Sequence, residues 1–519
     1  MKKIIAILCV VSLLAALFVG CNTGKTPADN TESADKNSTK KVRDYVVMKN
    51  IDFKLVFVCG ESIIFTDYSY SDDILFSYSP DGASAACITT EGDLLFIHDG
   101  KVEKIADHVF SYKFSVSGDS LAFRIRNEMV AEESTLESGL YLHQRQTGRT
   151  VQIAADAESN VDSYVVSPDG KTVAYVTEAN IDGEKVALLM TYRDGTKEQF
   201  LQLQKFLGVK VGCTLISINN DLDVIYVHAL GHVCTVNQEG KIKQLCAALE
   251  TCYFNDTFYT NADHTQLLFT GFGTYISENG EPCKKICDDD LRPIPRANSP
   301  FFHDGTNVLT FGEGHITCDY EDLSVQVMRR YNDNTERQRS FWLPNAEGKY
   351  EMIAEYKCSE EDPWLDYNGS YLYYMDFNRT LHVMDLKNGG ESAVLADNIY
   401  SYTVSNNGKK LYYSKSWEKL YRLDRTDVSE MKHEEIDLPS LDAHFSENDE
   451  LFTKVMNDSN DRNYELYKIT KNGDIVRILQ NVLQCTKEDC GMIYVTTEDG
   501  YYIIRNGELI QLEVKTMGE

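Results

Sequence analysis

Basic residues and proline are both scarce in this chain of 519 residues. There are 51 lysines and arginines against 80 aspartates and glutamates, so the formal net charge is −29 at pH 7. Such a charge would repel a phosphate backbone, which argues against nucleic acid as a partner. Only 10 prolines occur, whereas tyrosine (31) and phenylalanine (22) are abundant. Aromatic side chains suit the half-buried surface of a pleated sheet, so the composition favours strands.

Sequence signatures of catalysis and of cofactor binding are also missing. The chain contains no G-x-S-x-G nucleophile elbow, no P-loop and no dinucleotide-binding fingerprint. His433-Glu434-Glu435 lacks the second histidine of the H-E-x-x-H zinc-protease motif. We therefore predict no catalytic residue and no cofactor, and the sequence favours a binding protein over an enzyme.

Two stretches contain residue types that bind metals. Cys283 and Cys287 precede three aspartates, Asp288 to Asp290, and the segment "NDSNDRN" (457–463) places oxygen ligands at alternating positions. The cysteines lack the C-x₂-C spacing of a structural zinc site, and the segment lacks the central glycine and distant glutamate of an EF-hand. We predict no metal site. Three tryptophans, which are able to stack on a sugar or peptide, are interpreted as core or rim residues: Trp342, Trp364 and Trp417.

The N-terminus has the pattern of an export signal. The apolar run from Ile4 to Val19 follows two lysines and is rather short to span a membrane. It ends in "LFVGC" (17–21), which resembles the lipobox of bacterial lipoproteins, although Phe18 stands where the family usually has leucine. The resemblance implies cleavage before Cys21, attachment of a diacylglycerol group to that cysteine, and an extracytoplasmic protein lipid-anchored to a membrane of the bacterial cell envelope.

The sequence predicts three segments. Residues 1–20 form the signal peptide, and residues 21–43 comprise the lipidated Cys21 and a disordered tether. The tether is predicted because residues 22–41 are polar and contain no aliphatic side chain larger than alanine. Residues 44–519 form the folded domain.

Twelve cysteines remain when Cys9 and Cys21 are set aside. An exported protein is able to form disulfides, so that alternative stays open. Most of these cysteines, however, lie in apolar, strand-like sequences, such as Cys87 in "AACIT" and Cys234 in "HVCTV". Because cysteine is a common small core residue, we predict mainly buried thiols.

One short phrase recurs along the chain. "SPDGKTVAYV" (167–176) places an Asp-Gly turn against a run of strand formers, and "YSPDGASAAC" (78–87) and "TVSNNGKKLYYS" (403–414) are similar. A loose template of strand, Ser or Asn, turn and strand recurs about every 45 residues, which is typical of propeller blades. Its turn centres are Gly82, Gly118, Gly170, Asp221, His264, Gly305, Gly369, Gly408, Asp449 and Gly491.

A second hairpin follows many copies of this phrase. The strongest signals are Asn-Gly or Asp-Gly pairs between alternating apolar runs, at Asp99-Gly100, Asn388-Gly389, Asn472-Gly473 and Asn506-Gly507. Two hairpins per repeat make a four-stranded antiparallel blade. Because one blade cannot cover both of its own faces, the blades must stack in a ring.

The phrase followed by an "LYxxD…G…L" hairpin resembles the repeat of TolB-type β-propellers, over residues 45–512. The resemblance implies an all-β propeller, which we expect to be one large ring of about 8–10 blades. Two smaller rings dividing near residues 290–360, and a different meander such as a β-sandwich pair, are the alternatives. We expect the strand-like segment 45–58 to help complete the blade formed by the C-terminal hairpins, 492–512.

These features predict a membrane-anchored binding or scaffold module for a protein, peptide or glycan ligand. Two alternatives remain. One is a component of an envelope assembly, as TolB-like proteins are, and the other is a glycan-active enzyme with its site in the central channel.

Overall fold

The computed structural model describes residues 46–518, with gaps at 72–73, 80–83, 126–135, 156–160, 182–183, 194, 203–213, 230–231, 237–240, 246–257, 271–272, 294–314, 318–327, 332–337, 346, 358–362, 367–369, 387–390, 406–407, 417–418, 428–429, 439, 447, 457–463 and 488–491. The predicted signal peptide, Cys21 and the tether lie outside the described residues.

The described part of the chain is all-β, which confirms the predicted fold class. It therefore contains no helix that could cross a membrane. The strands form ten sheets, eight of them four-stranded, and consecutive strands pair in antiparallel order within almost every sheet. Because nearly all neighbouring strands in a sheet follow one another in sequence, the four-stranded units are blades of the kind that the repeated phrase predicts.

The strands of the blades are as follows. Blades 1 to 4 consist of Val46–Ile51, Lys54–Cys59, Ser62–Ser69 and Glu513–Thr516; Leu75–Tyr78, Ser84–Ile88, Leu94–His98 and Lys101–Ala106; Val109–Phe114, Ser120–Ile125, Gly139–Gln144 and Arg149–Ala155; and Val161–Val166, Thr172–Ile181, Glu184–Arg193 and Thr196–Gln202. Blades 5 to 7 consist of Thr214–Ile218, Ile225–Ala229, His232–Val236 and Ile242–Gln244; Phe258–Thr260, Gln266–Thr270, Thr274–Glu278 and Lys284–Cys287, with His315–Thr317 added beside the first strand; and Arg292–Pro293, Met328–Tyr331, Gln338–Pro344 and Tyr350–Lys357.

The remaining strands belong to blades 8 to 11. They are Trp364–Leu365, Tyr371–Met375, Leu381–Asp385 and Glu391–Ala396; Ser401–Val404, Lys410–Ser416, Lys419–Asp427 and Glu430–Ile436; Ser440–Phe445, Leu451–Met456, Tyr464–Ile469 and the first part of Ile475–Lys487; and the second part of that strand with Ile493–Thr497, Tyr501–Arg505 and Glu508–Gln511.

Blades 10 and 11 are joined in one seven-stranded sheet. The long strand Ile475–Lys487 pairs through its first part with Tyr464–Ile469 and through its second part with Ile493–Thr497. Asn481, between the two parts, has a φ of 56°. The strand therefore serves as the last strand of blade 10 and the first of blade 11, so the described residues form eleven blades.

The core consists of eleven apolar clusters, and each cluster lies between two consecutive blades. Phe57 of blade 1 packs with Ile97 of blade 2, for example, and Phe452 of blade 10 packs with Ile493 of blade 11. The last cluster joins blade 11 to blade 1, where Tyr494 packs with Val58. This cyclic order closes one ring, and blade faces are buried only by neighbouring blades.

The ring is single and slightly larger than expected. Two rings would require blade 6 or 7 to close on an earlier blade, but Tyr259 of blade 6 packs with Tyr350 of blade 7, and Phe341 of blade 7 packs with Tyr374 of blade 8. The count of eleven exceeds the expected range of about 8–10 by one blade. The excess arises because blade 1 has no copy of the repeated phrase at its own first turn, Asp52–Phe53.

Ring closure differs from our expectation in one respect. The N-terminal strands do not complete the C-terminal blade; instead the C-terminal strand Glu513–Thr516 pairs in parallel with Ser62–Ser69 and completes blade 1. Only Leu512 separates this strand from the last strand of blade 11, so the chain passes directly from one blade to the next. The Glu513 amide donates to the Glu61 carbonyl (2.9 Å) and the Met517 amide to the Phe65 carbonyl (2.9 Å).

The antiparallel order gives the ring two different faces. Among the described residues, the first and third turns of blades 2 to 11 lie at one end, which we name the turn face, whereas the second turns and the links between blades lie at the other, the link face. Blade 1 runs in the opposite sense: the Sγ of Cys59 accepts from the Gly100 amide in a third turn (3.2 Å), so Asp52–Phe53 at the other end of that hairpin lies on the link face.

The described cysteines agree with the prediction of buried thiols. Five are buried and Cys283 is half-buried, and burial raises the pKa of the Cys87 thiol far above its usual range. They are Cys59, Cys87, Cys234, Cys283, Cys287 and Cys485. The other six lie outside the described residues.

Removal of residues 513–519 tests the closure. We expect a lower thermal midpoint, because blade 1 loses its fourth strand and Met517 no longer packs on the cluster between blades 1 and 2. Circular dichroism melts measure the effect, and Val514→Ala is the control because that side chain is 59% exposed. An unchanged midpoint in the deletion would contradict closure by this strand.

Candidate functional site

The repeated phrase encodes a side-chain clamp on the first turn of a blade. In blade 4 the Ser167 hydroxyl accepts from the Thr172 amide (3.0 Å), while the Ser167 amide donates to the Thr172 carbonyl (2.8 Å). The Gly170 amide donates to the Ser167 carbonyl (2.9 Å), and Gly170 has the positive φ, 72°, that the turn requires. Ser167 is fully buried, so its hydroxyl satisfies an amide that water cannot reach.

The same clamp recurs with serine, asparagine or aspartate in the same position. Pairs in which the side-chain oxygen accepts from an amide five residues later are Ser79 with Ser84, Ser115 with Ser120, Asn219 with Val224, Asn261 with Gln266, Asp366 with Tyr371 and Ser405 with Lys410. The residue with positive φ is Gly118, Gly170, His264, Gly408 or Asp449, as the template placed it, but in blade 5 it is Leu222 rather than Asp221.

First turns of neighbouring blades are also bonded to each other. The Ser117 amide donates to the Pro168 carbonyl of the next blade (2.8 Å), and the Asp169 amide donates to Asn220 Oδ1 of the blade after that (2.9 Å). His264 Nδ1 lies 2.9 Å from the Ile218 carbonyl, and burial lowers the pKa of His264 to about 4, so the neutral ring donates this bond. These bonds connect the first turns of blades 3 to 6 with one another.

A groove of about 440 Å³ lies where blades 1 and 2 meet the C-terminal strand. Its lining combines apolar walls with charged and hydroxyl groups: Asp67, Tyr68, Val102, Lys104, Met517 and Gly518. Three separate parts of the chain supply these residues. Sequence reasoning did not find the groove, because no local pattern links residue 68 to residues 104 and 517.

A buried carboxylate organises the groove. Asp93, in the second turn of blade 2, accepts from the Tyr68 hydroxyl (2.6 Å) and pairs with Lys104 Nζ (2.8 Å). Burial, and then the hydrogen bond to Asp93, raise the pKa of Tyr68 well above its usual range. The phenol therefore stays protonated, and it and the half-exposed ammonium are held at fixed positions in the groove wall. Such an arrangement is suited to hydrogen-bonding a ligand.

The aspartates beside Cys283 and Cys287 serve the structure. Asp288 pairs with Lys285 Nζ (2.8 Å), which lowers the pKa of Asp288, and Asp290 Oδ1 accepts from the Gly273 amide (2.8 Å). Among the residues that the structure describes, no group of three or more histidine, cysteine, aspartate or glutamate side chains is arranged to hold a metal ion.

The other sequence candidates have structural contacts or lie outside the described residues. Trp342 donates to the Ser340 hydroxyl (2.8 Å) beside the cluster of blades 6 and 7, and Trp364 packs edge-on against Tyr373. His433 Nδ1 lies 3.0 Å from the Tyr413 hydroxyl. Cys21, Trp417 and the segment 457–463 lie outside the described part of the chain.

Several solved structures are similar to this chain. A eukaryotic initiation factor is 12% identical over 76% of this chain and 97% of its own, with a TM-score of 0.39. Oligogalacturonate lyase in complex with manganese is 10% identical (71% and 93%, TM-score 0.29), and TolB from Acinetobacter baumannii is 11% identical (62% and 63%, TM-score 0.25). No protein-family model matches the chain, and neither does any curated protein. The assignment of the fold rests on the sheets and the cyclic order of the clusters.

Two glycines test the role of the first turn. Gly170 and Gly100 have nearly equal φ values of 72° and 73°, so alanine costs each about 1–2 kcal/mol of backbone strain. A Cβ at Gly170 would lie 2.7 Å from Ser120 Oγ of the neighbouring blade, whereas a Cβ at Gly100 meets nothing within 4 Å. We expect Gly170→Ala to cost roughly 1–3 kcal/mol more than Gly100→Ala in denaturant unfolding. Equal losses would show that the turns are not in contact.

Tyr68→Phe tests the groove. Because the pKa of Tyr68 is raised in the folded state, its contribution to stability is present in full below a pH of about 10, the pKa of an unfolded tyrosine. This contribution is lost as the pH rises above that value. We expect the variant to lose about 1–2 kcal/mol at neutral pH, because buried Asp93 loses a donor, and to show a shallower loss of stability above pH 10 than the wild type. Urea melts across this range measure both effects, with Tyr502→Phe as the control. Parallel pH profiles for Tyr68→Phe and wild type would contradict the assignment.

Proposed function

We propose that this protein is an extracytoplasmic β-propeller, lipid-anchored to a membrane of the bacterial cell envelope, that acts as a binding or scaffold module for a protein, peptide or glycan ligand. The observation that carries the proposal is the closed ring. It holds two broad faces of turns and links on a frame in which every blade is fixed by both neighbours.

Two further features support a binding role. The bonded first turns of blades 3 to 6 keep that part of the turn face in one conformation, so contact with a ligand there costs little ordering entropy. The groove between blades 1 and 2 presents the Tyr68 hydroxyl and the Lys104 ammonium between Val102 and Met517, which is the mixture of polar and apolar groups found in recognition sites.

The anchor rests on the sequence. The apolar run that ends at Gly20-Cys21 resembles a lipoprotein signal, and the polar tether up to residue 43 would allow the ring to stand clear of the lipid. With two or three acyl chains on Cys21, membrane attachment is durable, whereas one chain alone gives only reversible binding.

Expression of the full chain in a bacterium with a clickable fatty acid tests the anchor. We expect label in the wild type and in Cys87→Ser, which is buried in the ring, and no label in Cys21→Ser. Label in Cys21→Ser would contradict the anchor while leaving the binding role untouched.

The binding role is tested by mild cross-linking of the tagged full-length lipoprotein in its own membranes, affinity capture and mass spectrometry. We expect a specific protein or glycan species at near-equal abundance, and its loss when Tyr68→Ala is combined with Lys104→Ala, or when the ring is opened by removal of residues 513–519. Recovery of the protein alone at every cross-linker concentration would contradict the proposal.

A further inference from the structure

Exposed apolar side chains are distributed unequally between the two faces. Eleven large apolar side chains are substantially exposed in the described part of the chain. Five of them lie on the outer, fourth strands of blades: Met352, Val394, Ile475, Val476 and Val514. The other six lie at the link face, in turns, links or the strand ends beside them: Phe53, Phe110, Phe377, Tyr400, Met456 and Leu483.

Phe53 is the most unusual of these residues. It occupies the tip of a hairpin with a φ of 63°, a conformation that bulky side chains rarely adopt, and its side chain is 83% exposed. Glycine or asparagine would adopt this positive φ at a lower cost, and exposure of the phenyl group of Phe53 to water is also unfavourable. Backbone strain that leads to exposure of an aromatic group points to a function for that group. The turn adjoins the groove, because the Phe53 carbonyl accepts from the Tyr70 amide (2.9 Å) and Tyr68 lines the groove.

Phe377 is held outward in the same way. Asp376 Oδ1 accepts from the amides of Asn378 (2.9 Å) and Thr380 (2.8 Å), which fixes the turn around Phe377 and leaves its side chain 68% exposed. The neighbouring link presents Tyr400, and the Arg379 guanidinium lies 6.0 Å from the centre of that ring. The link face therefore already contains one stacked pair of a cation and an aromatic ring.

The charge of the link face indicates which class of partner could bind there. Exposed carboxylates occupy its described turns and links at Asp52, Glu91, Asp288, Asp290, Asp397, Asp437, Glu498 and Asp499. Arg379 is the one arginine or lysine in those described turns and links. On the adjoining strands, Lys285, Lys419 and Lys104 pair with Asp288, Glu435 and Asp93, and exposed Lys54 donates to the Asp67 carbonyl (3.2 Å). With a net charge of −29, a second copy of the chain, an anionic lipid or an anionic glycan would be repelled.

We propose that the link face is the docking surface for a basic segment of a partner protein, whose lysine and arginine side chains stack on the exposed rings of Phe53, Phe110, Phe377 and Tyr400 and pair with the surrounding carboxylates. Aromatic rings attract cations through their electron-rich faces, and carboxylates pair with the same groups, so both features select one chemistry. This inference rests on the proposed binding function and specifies the class of ligand.

The test uses the full-length lipoprotein in detergent and a fluorescent oligo-arginine peptide, with oligo-glutamate and glycine-serine peptides of equal length as controls. Fluorescence anisotropy at low ionic strength gives the dissociation constants. We expect binding of oligo-arginine only, weakened about tenfold in Phe53→Ala/Phe377→Ala and weakened as salt is raised. The control Ile475→Ala/Val476→Ala removes two large apolar side chains, 45% and 46% exposed, from an outer strand and should bind like the wild type.

Replacing exposed carboxylates with amides on each face tests which face binds the peptide. Asp397→Asn/Glu498→Gln on the link face should weaken oligo-arginine binding several-fold, whereas Glu281→Gln/Glu347→Gln on the turn face should not. All these side chains are exposed, and thermal melts verify that each variant remains folded.

Absence of oligo-arginine binding, equal binding of oligo-glutamate, or equal weakening by variants of the outer strand or turn face would overturn the inference. The captured partner distinguishes the two proposals. If Phe53→Ala/Phe377→Ala retains it at wild-type abundance, the docking surface is wrong and the binding function stands. If the wild type captures nothing, the binding function itself fails.

Discussion

Mutual burial of blade faces is the interaction on which the rest of this structure depends. A four-stranded blade is too thin to have an interior of its own, so its apolar side chains are excluded from water only by the blades on either side. Phe96 illustrates this, because it belongs to blade 2 but packs with Phe123 and Tyr141 of blade 3. An open row of blades would leave two apolar faces exposed, and the contact of Val58 with Tyr494 removes both at once.

Ring closure in turn explains why the turns are built so uniformly. A blade can pack on both neighbours only if its first hairpin has a fixed register, and the clamp of Ser167 on the Thr172 amide fixes that register locally. The bond between the Asp169 amide and Asn220 then couples one clamp to the next. Local turn chemistry and long-range packing therefore favour the same geometry, which is the consistency expected of a sequence that specifies a single fold.

The two faces of the ring differ because the chain uses their residues differently. On the turn face, polar side chains such as Ser115 and Asn219 accept hydrogen bonds from backbone amides. On the link face, turns of variable length leave side chains such as Phe377 and Tyr400 in water. Since the repeat constrains the first turns, variation that can serve recognition is concentrated in second turns and links.

The sequence by itself determined the all-β class, the four-stranded blade and the positions of most first turns, because those depend on short-range signals. Gly170, in its Pro-Asp-Gly context, and the pair Asn506-Gly507 favour their turn conformations through residue type alone. In blade 5 the template centred the turn on Asp221, one position before Leu222, which has the positive φ. Leucine has no preference for a positive φ, so the residue type gave no signal for this conformation. Counting copies of the repeated phrase also missed blade 1, because its first turn does not contain the phrase.

Only the tertiary structure decided how the ring closes and which side chains meet there. The pairing of residues 513–516 with residues 62–65 joins parts of the chain about as distant in sequence as any, and strand character does not specify its partner. The groove depends on that pairing, because Met517 reaches Tyr68 and Lys104 only once the C-terminal strand lies on blade 1. Composition gave the net charge, but the gathering of exposed aromatic side chains such as Phe53 and Phe377 at the link face follows from the alternation of strand direction, which places second turns and links together.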